Sequence, residues 1–528
     1  MSIFSADLKS KKTDLIWFLI FLLAALFLWL INLGNLPLRD WDEGYYGTVA
    51  KDMFHSGNWL YLTYYNQPFL LKPPLIIWLI NLSYKIGGIN EFTTRFPCAF
   101  LTACGVPLLY LVSRNLFYDR LPAIFSSLVY LTLLPVVRHG RLAMIDGIIN
   151  TFFIVAIFCL LKSRKQPNWA IGIGISLGLI ALSKGILAIA LGGIIVIYCF
   201  FDNPKYISKN SALWIGLILG FLPVFTWYIL QINHYGELFI EVHFKQQNFD
   251  RLSTSVEGNK GSIFYYFIEL IKYSFPWFIF LPTALKWAWE KRQENWAKLS
   301  IIGLGLFMGI ISIMATKLPW YIMPIYPLFS LVIAVYLAKL YEKKKSYPQF
   351  LAFLLFMGSG IVLMAGIYLG IEENKISLLI ITFSLTITLF SAAWKLKNKS
   401  PNFVAILGIG LYINLGSLMM SSEWIWELNE SFSVKPVATL IRENTPPGTI
   451  IYTSFPYSRT SLDFYSDRQV LADNKDNLQK LASQTSYLLL DKNAQDNLRL
   501  SHGKILGEAE GFILLKTFPE SKSSRNKQ

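Results

Sequence analysis

The constraint that governs everything else is a series of long apolar runs that carry no charge. Leu15–Leu33 is the first of them, and it has the roughly 20 residues needed to cross a bilayer as a helix. Similar runs recur near 96–113, 121–137, 147–161, 170–183, 186–201, 211–230, 264–285, 299–315, 321–338, 349–370, 376–393 and 402–420. The expected fold is therefore an α-helical polytopic membrane protein with about thirteen transmembrane helices. Only 15 % of the 528 residues are charged, against about 25 % in a soluble domain. That excludes intrinsic disorder, a secreted disulfide scaffold and a cytosolic enzyme.

The net charge of +15 does not mark a nucleic-acid binder, because the basic residues form no clustered patch. They fall in short alternate loops: Arg114 and Arg120; Lys162, Arg164 and Lys165; Lys205 and Lys209; Lys286, Lys291 and Arg292; Lys343, Lys344 and Lys345; Lys395, Lys397 and Lys399. The positive-inside rule places those loops in the cytoplasm. The first run is too long for a signal-peptide core, so an uncleaved first span with a cytoplasmic N-terminus is expected. Residues 34–95, 138–146, 231–263, 316–320 and the chain after 420 then face outward. This parity depends on a break at Lys184–Gly185. The short, proline-led segment Pro73–Ile86 is expected along the membrane surface. Cys98, Cys104, Cys159 and Cys199 show no metal or redox spacing.

Two domains follow: a membrane domain over 1–420, whose outer loop 34–95 is rich in acidic residues, and an extracytoplasmic α/β domain over 421–528. In the latter, Val434–Glu443 reads as a helix stopped by Pro446-Pro447-Gly448. Thr449–Thr453, Gln469–Ala472, Tyr487–Leu490 and Phe512–Lys516 read as strand-length apolar runs. Ser521–Gln528 reads as a frayed polar end.

Chemistry-bearing residues gather in the outward loops. Asp40, Asp42 and Glu43 stand within four residues of one another, directly after a span. An acidic N-cap, Asp42 capping a helix over 44–54, accounts for one of them but not for the group. Tyr45 and Tyr46 follow, and these tyrosines read either as a sugar-stacking wall or as an interfacial aromatic belt. Arg138, His139 and Arg141 sit at a span end, where they meet either lipid headgroups or a bound phosphate. Lys184, between two runs, reads as a snorkelling side chain.

The motifs Leu38-Arg39-Asp40-Trp41-Asp42-Glu43, Gly57-Asn58-Trp59, Lys72-Pro73-Pro74-Leu75, Arg141-Leu142-Ala143-Met144-Ile145-Asp146, Lys317-Leu318-Pro319-Trp320-Tyr321 and Ser461-Leu462-Asp463-Phe464-Tyr465 occur in that order. Together they resemble the protein O-mannosyltransferase-like group, glycosyltransferase family 39, and its relatives the lipid A aminoarabinose transferases, all of the GT-C fold. The resemblance implies a membrane transferase that takes a sugar from a polyprenyl-phosphate donor at the outer leaflet. The acceptor would be lipid A, a protein or a cell-envelope glycan. It matches Asp42 to the acidic residue at the reacting centre, Asp146 to a second carboxylate, and Lys72 and Tyr321 to the donor phosphate. His243 resembles a histidine that joins a metal site in the aminoarabinose branch. Here Leu71 stands where that branch has a carboxylate, and no set of three or four ligands assembles; no metal or other cofactor is assigned.

Elementary chemistry agrees with these roles. A sugar-acceptor hydroxyl needs a carboxylate to take its proton, for which Asp42, Glu43 and Asp146 are the candidates. A phosphate leaving group needs positive charge, which Lys72, Arg138 and Arg141 can supply. One base and a phosphate clamp suffice for inversion at the sugar carbon. Asp40, Tyr45, Tyr46 and His243 complete the expected substrate contacts. The alternative is a flippase or transporter of a lipid-linked saccharide, which would place ionisable residues mid-span; the span centres here are nearly free of charge.

Overall fold

The computed structural model describes residues 2–255, 258–342, 347–372, 374–498 and 503–519. The basic loop Lys343–Lys345 and the end Ser521–Gln528 lie outside them. The chain divides into two compact units. One comprises Met1–Leu33, Leu70–Ile76 and Arg95–Trp424; the other comprises Gly34–Phe69, Ile77–Thr94 and Ile425–Gln528. By packing, then, the tail groups with most of the first long loop.

The first unit is helical. Among the described residues, ten helices are long and apolar enough to cross a membrane, or eleven if the pair Leu121–Leu131 and Leu134–Arg141, bent by 57°, is one span. Two of the thirteen expected runs account for the difference. Residues 264–285 do not form one helix. They break into Tyr265–Ser274, Trp277–Phe280 and Leu281–Glu290, because Pro276 and Pro282 cannot donate to the helical ladder. The runs 170–183 and 186–201 join in one element, Ile171–Asp202, whose only non-helical residue is Lys184 (φ −158°, ψ 92°).

That element folds back on itself. Gly192 lies against Leu177, and Gly172 against Cys159. At the far end Arg164 donates to Asp202 and Tyr198. Both ends of the element thus return to the neighbourhood of residues 159–164, and the break expected at Lys184–Gly185 is a sharp reversal with no intervening loop. Its first half packs on Ser211–Tyr235 through two small-residue pairs. A Cβ on Gly174 would stand 2.1 Å from the backbone of Gly216, and one on Gly178 would stand 2.1 Å from that of Gly220. Gly-xxx-Gly spacing on both helices is what permits backbones to approach this closely in lipid.

The first span, Lys11–Leu30, ends with carbonyls that lack helical partners. Arg141 donates to the carbonyls of Leu28 and Ile31, and Arg95 to that of Leu33 at 3.0 Å. The guanidinium of Arg141 also lies 4.4 Å over the Trp424 ring.

In the second unit, the helix Asp42–Ser56 ends at Gly57, whose φ of 69° is the left-handed turn that favours glycine. Leu75–Gly87, which starts in the first unit and ends in the second, has 13 residues, about 20 Å of helix and too little to span a bilayer. The tail carries the helix Val434–Asn444 and a five-stranded sheet in the order Gln469–Ala472, Ile450–Thr453, Tyr487–Asp491, Phe512–Thr517, Gly503–Ala509. The first three strands run parallel and the last two antiparallel. Four strands coincide with the apolar runs. Gly503–Ala509 is not among them, because its only large apolar residues are the adjacent Ile505 and Leu506 and the strand is largely exposed. Val437, Ile441, Ile451, Val470, Leu489 and Leu514 form the core on one face of the sheet.

Candidate functional site

The expected site residues fall in both units. In the second, the chain enters the helix Asp42–Ser56 through Trp41, which holds φ 70° and ψ −122°. That conformation costs an aromatic residue about 1–3 kcal/mol. The helix has no side-chain N-cap, so Asp42 is not the cap that the acidic pattern allowed. Its half-buried carboxylate makes no hydrogen bond or ion pair among the described residues. Glu43 is fully buried and accepts the Arg39 backbone N–H at 2.9 Å, which fixes the turn.

Asp40 is occupied. Its carboxylate accepts from Arg459 Nε at 2.8 Å, Ser461 N at 3.1 Å and Ser461 Oγ at 2.5 Å, which ties it to the tail. Tyr46 is buried. Tyr45 is stacked on Tyr64, with ring centroids 4.4 Å apart. Tyr45 and Tyr64 are each half-buried. Tyr64 donates to Asp463, which also accepts from Val470 N at 2.8 Å. Burial drives the Asp463 pKa up to about 7 and raises those of Tyr64 and Tyr65 as well.

In the first unit, Asp146 occupies the first turn of Ile145–Ser163, where the positive end of the helix dipole favours a carboxylate. Lys184 donates to it at 3.3 Å and sits 4.0 Å over the Tyr321 ring. The Tyr321 hydroxyl accepts from Arg251 at 3.1 Å. About one helical turn before Arg251, Gln247 accepts from Lys72 at 3.1 Å. Two cations, one carboxylate and one phenol thus come together from segments scattered between residues 146 and 321, and Lys72 is bonded to the segment that carries Arg251.

Lys184 and Arg251 are not among the site residues expected from the sequence. A lone charge between two apolar runs, as at Lys184, is itself a signal of function in a membrane. Arg251 lies in a polar stretch without distinctive spacing. Conversely, Arg141 is spent on helix carbonyls, and Arg138 donates to the Trp424 carbonyl at 2.8 Å. A buried guanidinium must place its donors; here backbone carbonyls take both terminal nitrogens of Arg141 and the Nε of Arg138. His243 is held between the Leu70 carbonyl at 2.9 Å and the Tyr228 hydroxyl at 3.0 Å. Burial pushes its pKa down to about 4, which favours the neutral imidazole. Among the described residues, no three His, Cys, Asp or Glu side chains converge as metal ligands.

The chain is similar to several known proteins. Residues 71–229 match the profile of the dolichyl-phosphate-mannose-protein mannosyltransferase family. An uncharacterized protein of Aquifex aeolicus is 29 % identical over 61 % of this chain and 64 % of its own length. An undecaprenyl phosphate-alpha-4-amino-4-deoxy-L-arabinose arabinosyl transferase of Enterobacter is 27 % identical over 60 % of this chain and 58 % of its own. The chain thus spans less than two thirds of the length of these curated relatives. Among solved structures, ArnT from Cupriavidus metallidurans bound to undecaprenyl phosphate superposes with a TM-score of 0.79 at 18 % identity, covering 94 % of this chain and 97 % of that one. The archaeal oligosaccharyltransferase AglB from Archaeoglobus fulgidus reaches 0.55 at 14 %, covering 91 % and 70 %. At these identities the likeness is one of fold. The ordered motifs, the family profile and the shared fold agree: the chain is similar to the protein mannosyltransferases and aminoarabinose transferases, and it has the fold of ArnT.

Proposed function

We infer that this protein is an integral-membrane glycosyltransferase that moves a sugar from a polyprenyl-phosphate donor to an acceptor at the outer leaflet: lipid A, a protein or an envelope glycan. The observation that carries this reading is the cluster around Tyr321. Lys184 and Arg251 both engage that ring or its hydroxyl, and Lys72 is tied to the same polypeptide segment as Arg251. With Asp146 neutralising one charge, the group keeps a surplus of positive charge suited to a lipid phosphate. The ArnT structure with undecaprenyl phosphate supports the same class of donor.

In this mechanism Lys72 and Arg251 hold the donor phosphate, and Tyr321 donates to it once Arg251 turns to the ligand. Their charge stabilises the leaving phosphate as the bond to the sugar carbon breaks. Asp42, whose carboxylate is uncommitted, takes the acceptor hydroxyl's proton as the new bond forms. Direct displacement of this kind inverts the anomeric centre. Asp146 orients Lys184 over Tyr321. The chain is multi-pass; the alternate basic loops favour an N-terminus in the cytoplasm and the 421–528 domain outside, an orientation that counts the two halves of Ile171–Asp202 and the broken segment 265–290 as crossings.

The test is transfer in proteoliposomes from a panel of labelled polyprenyl-phosphate pentoses and hexoses, comparing wild type with Asp42→Asn. The expected result is transfer that falls at least about a hundredfold in the variant, with an inverted product. Equal rates would remove Asp42 as the base. A retained anomer would remove direct displacement. Movement of intact donor across the bilayer without transfer would establish a flippase instead.

A further inference from the structure

Strained backbone persists only where its surroundings over-determine it, and the strained residue here, Trp41, immediately precedes Asp42. The restraints come from the tail, about 420 residues away in sequence. Asp40 takes three hydrogen bonds from Arg459 and Ser461. The Trp41 carbonyl accepts from Thr460 Oγ1 at 3.0 Å. Gly44 brings the first helical turn so close that a Cβ there would lie 2.6 Å from the Thr460–Ser461 backbone. Arg459 is itself fixed: 3 % exposed, it donates to the Phe432 carbonyl at 2.8 Å and lies 4.2 Å over the Phe432 ring.

We propose that the tail turn Arg459-Thr460-Ser461 is a positioning clasp for Asp42, holding the Asp40–Trp41 backbone in the conformation that aims the Asp42 carboxylate. The proposal rests on Asp42 being the base and gives the tail a function in the reaction. Arg459, Thr460 and Ser461 act through the turn and are positioning residues. A charge-assisted pair between buried groups, Arg459 with Asp40, is strong enough to hold such a turn. Without it, Trp41 relaxes to negative φ, the first residue of the helix rotates, and the carboxylate leaves its line to the acceptor. Misplacement by about 1 Å costs on the order of a hundredfold in rate.

The experiment uses the full chain in nanodiscs, with two readouts. One is the transfer assay; the other is amide hydrogen exchange over residues 40–45, where Gly44 N–H donates to the Arg39 carbonyl and Tyr45 N–H to the Trp41 carbonyl. Arg459→Met should speed exchange at those amides and lower kcat roughly ten- to a hundredfold, with the donor KM unchanged within about twofold. Arg459→Lys should recover part of kcat. Ser461→Ala, which removes one hydrogen bond and strands no charge, should give the same pattern more weakly, and it carries the test if Arg459→Met does not fold. Unchanged exchange in both variants overturns the clasp. Faster exchange with unchanged kcat overturns positioning, provided Asp42→Asn is inactive. A wild type that transfers no sugar at all would sink the enzymatic reading, while the exchange measurement would still decide whether the tail holds the turn.

Discussion

Asp463→Asn should stabilise the second unit at pH 8 and do nothing at pH 4. The Asp463 side chain is 2 % exposed, and desolvation lifts its pKa from 3.8 to about 7. The folded form therefore binds a proton more tightly than the unfolded chain. Stability from this group is fully present below pH ~4, falls as the pH rises from ~4 to ~7, and is level above that. A shift of about three units at 1.36 kcal/mol each puts the loss at about 4 kcal/mol as an upper bound. Asparagine mimics the protonated acid: its oxygen can accept from Val470 N–H, and its amide can donate to the Tyr64 oxygen. At about 2–4 °C per kcal/mol for a unit of this size, the variant's Tm should exceed that of wild type by up to ~16 °C at pH 8. The excess should shrink through pH 7 to 5 and vanish near pH 4. The assay is a thermal-shift series in buffered detergent. An excess that does not vary with pH would refute the reasoning, as would a variant less stable than wild type at pH 8.

Arg251→Gln removes a cation from the Tyr321 cluster and should raise the donor KM by ten- to a hundredfold, the scale of one charge-assisted phosphate contact; an unchanged KM in the proteoliposome assay would exclude Arg251 from the phosphate site. Gly220→Leu forces apart the backbones that meet at Gly174 and Gly178, so the yield of folded protein and its Tm should drop sharply, whereas Gly193→Leu, where nothing lies within 4 Å, should be tolerated. His243 stays neutral through pH 5–8 because burial holds its pKa at about 4; the pH–rate profile of His243→Gln should keep the wild-type limbs, and loss of a limb near pH 6.5 would show that His243 titrates in turnover. Gly57→Ala places a Cβ at φ 69° in open space, so its cost should be the conformational one alone, about 1 kcal/mol, read as a small fall in Tm.

What the sequence by itself determined is what depends on local composition and period. Span-length apolar runs can be satisfied only by helices in lipid, which made the membrane class legible. Strand-length runs and the Pro446-Pro447-Gly448 stop made most of the tail legible. Where local signals failed, the cause was also local. Prolines 276 and 282 broke an apolar run that composition could not distinguish from a span, and the strand Gly503–Ala509 carries no apolar pattern. The site belongs to the other category. Whether Asp40 meets a substrate or Arg459, whether Arg141 meets a phosphate or the end of the first helix, and whether Lys184 snorkels or pairs with Asp146 all depend on which polar partner is nearest in space. Some of those partners lie more than 400 residues away. A buried charge must be satisfied by whatever the fold brings within hydrogen-bond reach, and only the tertiary structure decides what that is.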